Sequence, residues 1–273
     1  MQKWTLRDIK NMPINLAISA LLLAVVSVPC IANGQQAPTQ SQGSPSTADA
    51  ISNVEKGNFS SVDIAIIVRR HAVQAIPSLE TQFNRSKDPT TKERIADALI
   101  RLGEKNAPYW DYVINRARQV LGDAPPTPIE YDASGTVAST EPSKRLIEWA
   151  NKHHISIQQA WYDAMFDAPG AIKVLGIYDD ARAIPILREA LISENDFIKI
   201  AAAQGLAELH DTASIPTIIK VCQNAPKEAA SSIAQSLIYF DDPAAQRAVD
   251  VYVPANTAQE LRKARAHGKT PFR

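Results

Sequence analysis

Aromatic side chains fill only 6% of this 273-residue chain, glycine occurs ten times and cysteine twice, and neither sign of charge prevails: Lys plus Arg and Asp plus Glu both number 29. Each shortage excludes something. Ten dispersed glycines form no phosphate-cradling loop, and no Gly-x-Ser-x-Gly elbow, His-Glu-x-x-His run or Cys-x-x-Cys pair occurs. A formal net charge of zero provides no global field for nucleic acid, an anionic membrane or a polyanionic substrate. With no catalytic, cofactor or metal motif, none of these is expected, although an enzyme with a dispersed site leaves no local pattern. What is present is 45% hydrophobic and 21% charged residues, the composition of an ordinary globular protein with a sizeable core.

At the N-terminus Lys3, Arg7 and Lys10 precede an apolar run from Leu16 to Val28, then small residues and a Gln/Pro/Ser-rich stretch. That is the layout of a secretory signal. Ala32 and Gly34 place small side chains before a cut at Gln35, so residues 1–34 are expected to be removed and the protein exported, periplasmic or extracellular. An uncleaved anchor, the protein's one expected link to a membrane, is the first rival. A run of about 13 apolar residues rises about 20 Å as a helix, short of a hydrocarbon core of about 30 Å. The second rival is lipidation at Cys30, but Pro29 stands where a small residue is needed. Cleavage removes three basic residues and Asp8, leaving a formal charge of −2, and takes Cys30 with it. Cys222 then stands alone and no internal disulfide forms.

Residues 35–58, rich in Gln, Ser, Thr, Pro and Gly, read as a flexible linker. Residues 122–143, with Pro125, Pro126, Pro128, Gly135 and Pro142, read as an irregular insertion between two helical blocks, 59–121 and 144–256. The strongest signal is an internal repeat. Asp180, Asp211 and Asp242 recur every 31 residues. Ile184, Leu187 and Leu191 correspond at that period to Ile215, Ile218 and Cys222, then to Gln246, Val249 and Val253, one helical stripe at i, i+3 and i+7. Ala171, Leu175 and Tyr178 match Ala202, Leu206 and Leu209, then Ile233, Leu237 and Phe240, a second stripe. In the N-terminal block Ile76, Leu79 and Phe83 map onto Ala107, Trp110 and Ile114, with Ile95, Leu99 and Leu102 between them. Asp88, Pro89 and the Thr90-to-Glu93 spacing predict a helix start, and Gly103 a stop. Two apolar stripes per period predict paired helices, which bury both stripes only by stacking on the next pair.

Within the insertion region, Leu146, Ile147, Trp149 and Ala150 predict one helix, and Ile157, Ala160, Trp161, Ala164 and Met165 another that ends at Pro169 and Gly170. The chain resembles HEAT repeats, in particular the short HEAT-like repeats of bacterial proteins and phycobilisome-lyase relatives. The resemblance rests on Ala183-Ile184-Pro185 and Ser214-Ile215-Pro216 in first helices, and on Ala202–Leu206 and Ile233–Leu237 in second helices. It covers about residues 168–254 well and 63–120 moderately, and implies an all-α solenoid of stacked antiparallel helix pairs, interrupted by the insertion.

Chemistry-bearing residues have plain structural readings. Asp179 with Asp180, His210 with Asp211 and Asp241 with Asp242 fall between helices, where Asp caps free N–H groups. His153 and His154 adjoin without a third metal ligand and read as a turn. Cys222 holds a core-stripe position. Core packing is the first expectation for Trp110, Trp149 and Trp161, but they flank the insertion and are the candidate contact residues if it carries a binding function. Residues 257–273 form a basic tail with Arg262, Lys263, Arg265, Lys269 and Arg273, opened by a Thr257-to-Glu260 capping spacing. Together these predict an exported, non-catalytic scaffold for a protein or peptide partner. The lyase resemblance implies an alternative, attachment or isomerisation of a tetrapyrrole; a nucleic-acid binder is opposed by neutrality and export.

Overall fold

The structure is a computed structural model. It describes residues 46–268 apart from 140, 178 and 179, so the expected signal segment with Gly34 and Gln35, together with Tyr178, Asp179 and the tail residues Lys269 and Arg273, lies outside the described residues.

The order of elements is α1 (Thr47–Lys56), α2 (Ser61–Arg69), α3 (Ile76–Arg85), α4 (Pro89–Arg101) and α5 (Ala107–Gly122). A hairpin follows, β1 (Glu130–Tyr131) antiparallel to β2 (Val137–Ser139), with Glu130 opposite Ser139. Then come α6 (Lys144–Lys152) and α7 (Ile157–Tyr162), which runs through a π-helical turn (Asp163–Asp167) into α8 (Ala168–Ile177). The chain continues with α9 (Ala183–Ala190), α10 (Asp196–Glu208), α11 (Ile215–Asn224), α12 (Lys227–Ala234), α13 (Pro243–Tyr252) and α14 (Ala255–Ala266). The fold is an all-α solenoid whose successive pairs are α1–α2, α3–α4, α5–α8, α9–α10, α11–α12 and α13–α14, each stacked on its neighbours.

Most of the stripe positions read from the sequence are buried, whereas Ile76, Ile184, Leu209 and Gln246 are only partly so and Ala107 is exposed. Leu79, Phe83, Trp110, Ile114, Leu187, Leu191, Ile218, Cys222 and Val249 face inward from first helices, and Ile95, Leu99, Leu175, Leu206 and Ile233 from second helices. They belong to one core that runs from Ala50 to Ala258. The insertion therefore does not split the solenoid into separate blocks. It lies inside the third pair, between α5 and α8, and these two helices still pack on each other, so the stack continues across it.

Two glycines set the tightest crossing. A Cβ on Gly176 of α8 would fall 2.2 Å from the Cα of Gly205 on α10, and one on Gly205 would fall 2.9 Å from a methyl of Leu187. Only hydrogen at both positions lets these helices approach so closely.

Several local expectations are corrected. The linker read at 35–58 ends in helix α1 over Thr47–Lys56, opened by a reciprocal Ser46–Asp49 capping box, with Ala50 and Val54 buried. Its polar composition hid a narrow apolar stripe that only α2 and α3 cover. Pro169 and Gly170 do not end their helix. The π turn carries Ala168 N–H to the carbonyl of Asp163, and the shifted register admits the proline that a regular α-helix would resist. Asp88 caps α4 as expected, accepting the Thr91 N–H at 2.8 Å, with Pro89 opening the helix, but Glu93 pairs with Arg116 rather than closing a capping box. The last helix starts at Ala255 after Pro254, not at Thr257. Gly103 does stop α4, at φ +103°. The same left-handed position after other helices is held by His71, His154 and His210, where the following N–H reaches back to Ile67, Ala150 and Leu206 respectively.

Candidate functional site

Residues 123–139, with 141–143, form a strap over one edge of the solenoid, the edge where each first helix turns into its second. Pro125, Pro126 and Pro128 are buried beneath it. The Thr127 hydroxyl donates to the Glu194 carbonyl at 2.9 Å and accepts the Asp196 N–H at 2.9 Å, so a residue 69 positions away helps cap α10. One pair further on, the Gly135 carbonyl accepts the Glu228 N–H at the start of α12. Gly135, at φ +77°, sits so close that a Cβ would lie 2.4 Å from the Lys227 nitrogen. The Tyr131 hydroxyl bonds Asp196, and burial first, then Asp196, raises its pKa. Asp196 also holds Lys199 at 2.8 Å.

Asn195, 0% exposed, ties these elements together. Its Oδ1 accepts the Phe197 N–H, and its Nδ2 donates to the carbonyls of Pro125 and Ala164. The Ala164 carbonyl needs that donor: in the π register its helical partner would be Pro169, which has no N–H.

The structure does not bring the three tryptophans together. Trp110 is 5% exposed in the main core, with the Arg182 guanidinium 5.8 Å from its ring centre. Trp149 and Trp161 are half-buried around a small separate cluster of Leu146, Ala150, Ala160 and Ala164. Trp149 stacks on His153 at 4.2 Å, and His153 Nε2 is 3.4 Å from Asp123. The adjacent histidines thus differ in role: His153 packs, and His154 forms the turn. Among the described residues no group of three or more His, Cys, Asp or Glu is placed to hold a metal ion.

The recurring aspartates serve structure in three different ways. Asp242 accepts the N–H groups of Ala244 and Ala245 at the start of α13. Asp180 accepts the Arg182 N–H and grips its guanidinium. Asp211 pairs with Arg188 of α9, two helices back, and accepts from Ser214. Arginine and hydroxyl hydrogen bonds hold the Asp211 carboxyl below its ordinary range against the opposing pull of burial. In the tail, Arg262 pairs with Asp250, Lys263 with Glu260, and Arg265 with Asp241 and the Ile238 carbonyl. Those charges are engaged within the chain.

One charged cluster is strongly perturbed. Arg116 of α5 reaches Glu93 at 3.0 Å and Asp167 of the π turn at 2.6 Å. Burial pushes the Glu93 carboxyl up to about 7 despite Arg116, with Asp167 adding to the rise. Such a carboxyl suits proton transfer, but it is committed to an interhelical ion pair. Cys222 is buried, and its thiol is pushed up to about 12, which removes it as a nucleophile.

Where the strap does not reach, the edge is open. Between pairs one and two, Gly57, Phe59 and Ser60 face Arg85, Ser86 and Arg94 across a cleft of about 370 Å³. Neither arginine has a hydrogen-bond or ion-pair partner among the described residues. Sequence reasoning missed this cleft, because Arg85 and Arg94 share no motif and meet only when two pairs stack. A second cleft of about 340 Å³ is lined by His210, Tyr239, Phe240 and Arg265.

A stack of antiparallel helix pairs with short turns defines an α-solenoid. Residues 198–224 match the family model described as PBS lyase HEAT-like repeat, a span covering most of α10, the turn at His210 and α11. One repeat unit of the stack is thus similar to a HEAT-like repeat. No curated protein and no solved structure matches it.

Proposed function

We propose that this chain is an exported scaffold without catalysis of its own, holding a protein or peptide partner along the edge of its helix stack. The carrying observation is the row of turns and helix ends that stacked pairs present, covered by the strap over pairs four and five and open over pairs one and two. Repeat stacks bind through such extended surfaces rather than through one deep cavity. Export is supported by the basic, apolar and small-residue order of the first 35 positions; among the described residues no helix is long and apolar enough to cross a membrane.

Two measurements test the reading. Mass analysis of the protein recovered outside the cytoplasm should give a chain beginning at Gln35; a chain retaining Met1 to Gly34 in the cytoplasm refutes export. Cross-linking of the mature protein in extract should place a saturable partner near Lys56 and Lys87, the lysines at the open turns. Hydrolytic or lyase turnover without any saturable partner reverses the assignment.

A further inference from the structure

We propose that the cleft between pairs one and two binds the carboxylates of an extended acidic peptide. This rests on the scaffold reading above and specifies where on the edge the partner lies and what chemistry it carries.

The strap is the molecule's own example of what this edge accepts. It crosses the turns of pairs four and five with little regular structure, offering hydroxyl and carbonyl acceptors to helix N–H groups and apolar proline faces to the surface beneath. Its composition is one-sided: residues 122–143 contain Asp123, Glu130, Asp132 and Glu141 and no lysine or arginine.

The same edge over pairs one and two has the complementary character. Phe59 and Ile64 give the cleft an apolar side, while Arg85 at the end of α3 and Arg94 in the second turn of α4 give it two cations. No carboxylate lines it. The flanking acids are already engaged: Asp63 accepts from Ser60 and Asn53, and Asp88 from Thr91. In pair four the exposed arginines Arg182 and Arg188 have acids within the chain, Asp180 and Asp211 respectively. Arg94 is half-buried without one. A partly desolvated guanidinium recognises carboxylate by paired, charge-assisted hydrogen bonds. A volume of about 370 Å³ suits a few residues of extended chain, not a folded domain.

The test uses the full mature chain and a fluorescein-labelled synthetic peptide of residues 123–143, followed by anisotropy in about 50 mM salt. The peptide should bind, and Arg85→Ala/Arg94→Ala should weaken it at least tenfold. Both side chains lack partners among the described residues, so the thermal melt should be unchanged, and Arg85→Lys/Arg94→Lys should fall between. A peptide with Asn and Gln in place of the four acids, and one with an amidated C-terminus, separate side-chain carboxylates from a chain end; loss confined to either supports the cleft. Exchange with the chain's own strap would be indifferent to both arginines. Undiminished binding to the double alanine variant overturns the cleft, as does failure of the acidic peptide to bind at millimolar concentration. The scaffold reading survives either result, because it answers to cross-linking.

Discussion

Glu93 should make this protein lose stability as the solution turns from mildly acidic to neutral, the reverse of what a salt-bridged carboxylate ordinarily does. Its carboxyl is held between α4, α5 and the π turn with 19% of its side chain exposed. On its own helix Asp97 adds negative charge, although Arg101 pairs with it; from α5 come Arg116 and Tyr112, and from the π turn Asp167, itself paired with Arg116. One arginine thus serves two carboxylates, and burial outweighs its attraction. The folded pKa of about 7 stands above the ordinary 4.5. Between those values the unfolded chain releases a proton that the folded chain keeps, so folding weakens as pH rises and levels off above 7. At about 1.4 kcal/mol per pH unit the interval sets a ceiling of about 3 kcal/mol. Asp163, raised by burial, acts in the same direction. The lowered Asp63, Asp180 and Asp211 have the opposite sign and act below this window: the stability they supply is complete above their ordinary value of 3.8 and is lost as pH falls. Glu93→Gln reproduces the neutral form at every pH. Urea unfolding followed by circular dichroism should show wild type and variant near parity at pH 5 and the variant more stable by about 2–3 kcal/mol at pH 8. A difference constant across this range, or a variant that loses more at pH 8 than at pH 5, refutes the reasoning.

Other expectations follow from packing. Gly176→Ala should cost about 2 kcal/mol or more, since its methyl meets the backbone of α10. Gly170→Ala, with open space around it, should gain up to about 1 kcal/mol from helix propensity; equal melting shifts for the pair would contradict the crossing geometry. Asn195→Ala leaves two carbonyls without their donor and should cost about 2–3 kcal/mol, with hydrogen exchange rising over residues 123–139; unchanged exchange there would mean that the strap is held by other contacts. Cys222 should resist alkylation in the folded protein at pH 8 and react on unfolding in urea. Prompt modification without denaturant would contradict its burial.

The stack was legible in the sequence because burial repeats: a stripe at i, i+3 and i+7 returning every 31 residues states both the helix and the need for a neighbour. Position along the stack was not. The insertion looked like a divider between blocks, since its prolines and glycine report the absence of helix but not where the chain goes next. Its acceptors, Thr127 and the Gly135 carbonyl, carry no local pattern pointing to α10 and α12. Helix α1 was lost in a polar segment because Ala50 and Val54 make a faint stripe. The continuation through Pro169 depended on a π turn and on a donor from Asn195, both supplied by tertiary structure. Proximity to the insertion singles out the candidate tryptophans, whereas the arginines of the open cleft come from separate helices and share no period.

A row of repeats joined only to nearest neighbours tends to fray from its ends and open piecemeal. By clasping the third, fourth and fifth pairs at once, the strap changes the order of collapse: those three must let go together. The first two pairs lack any such brace. They are the end of the stack left free to adjust around a guest while the clasped middle keeps its shape.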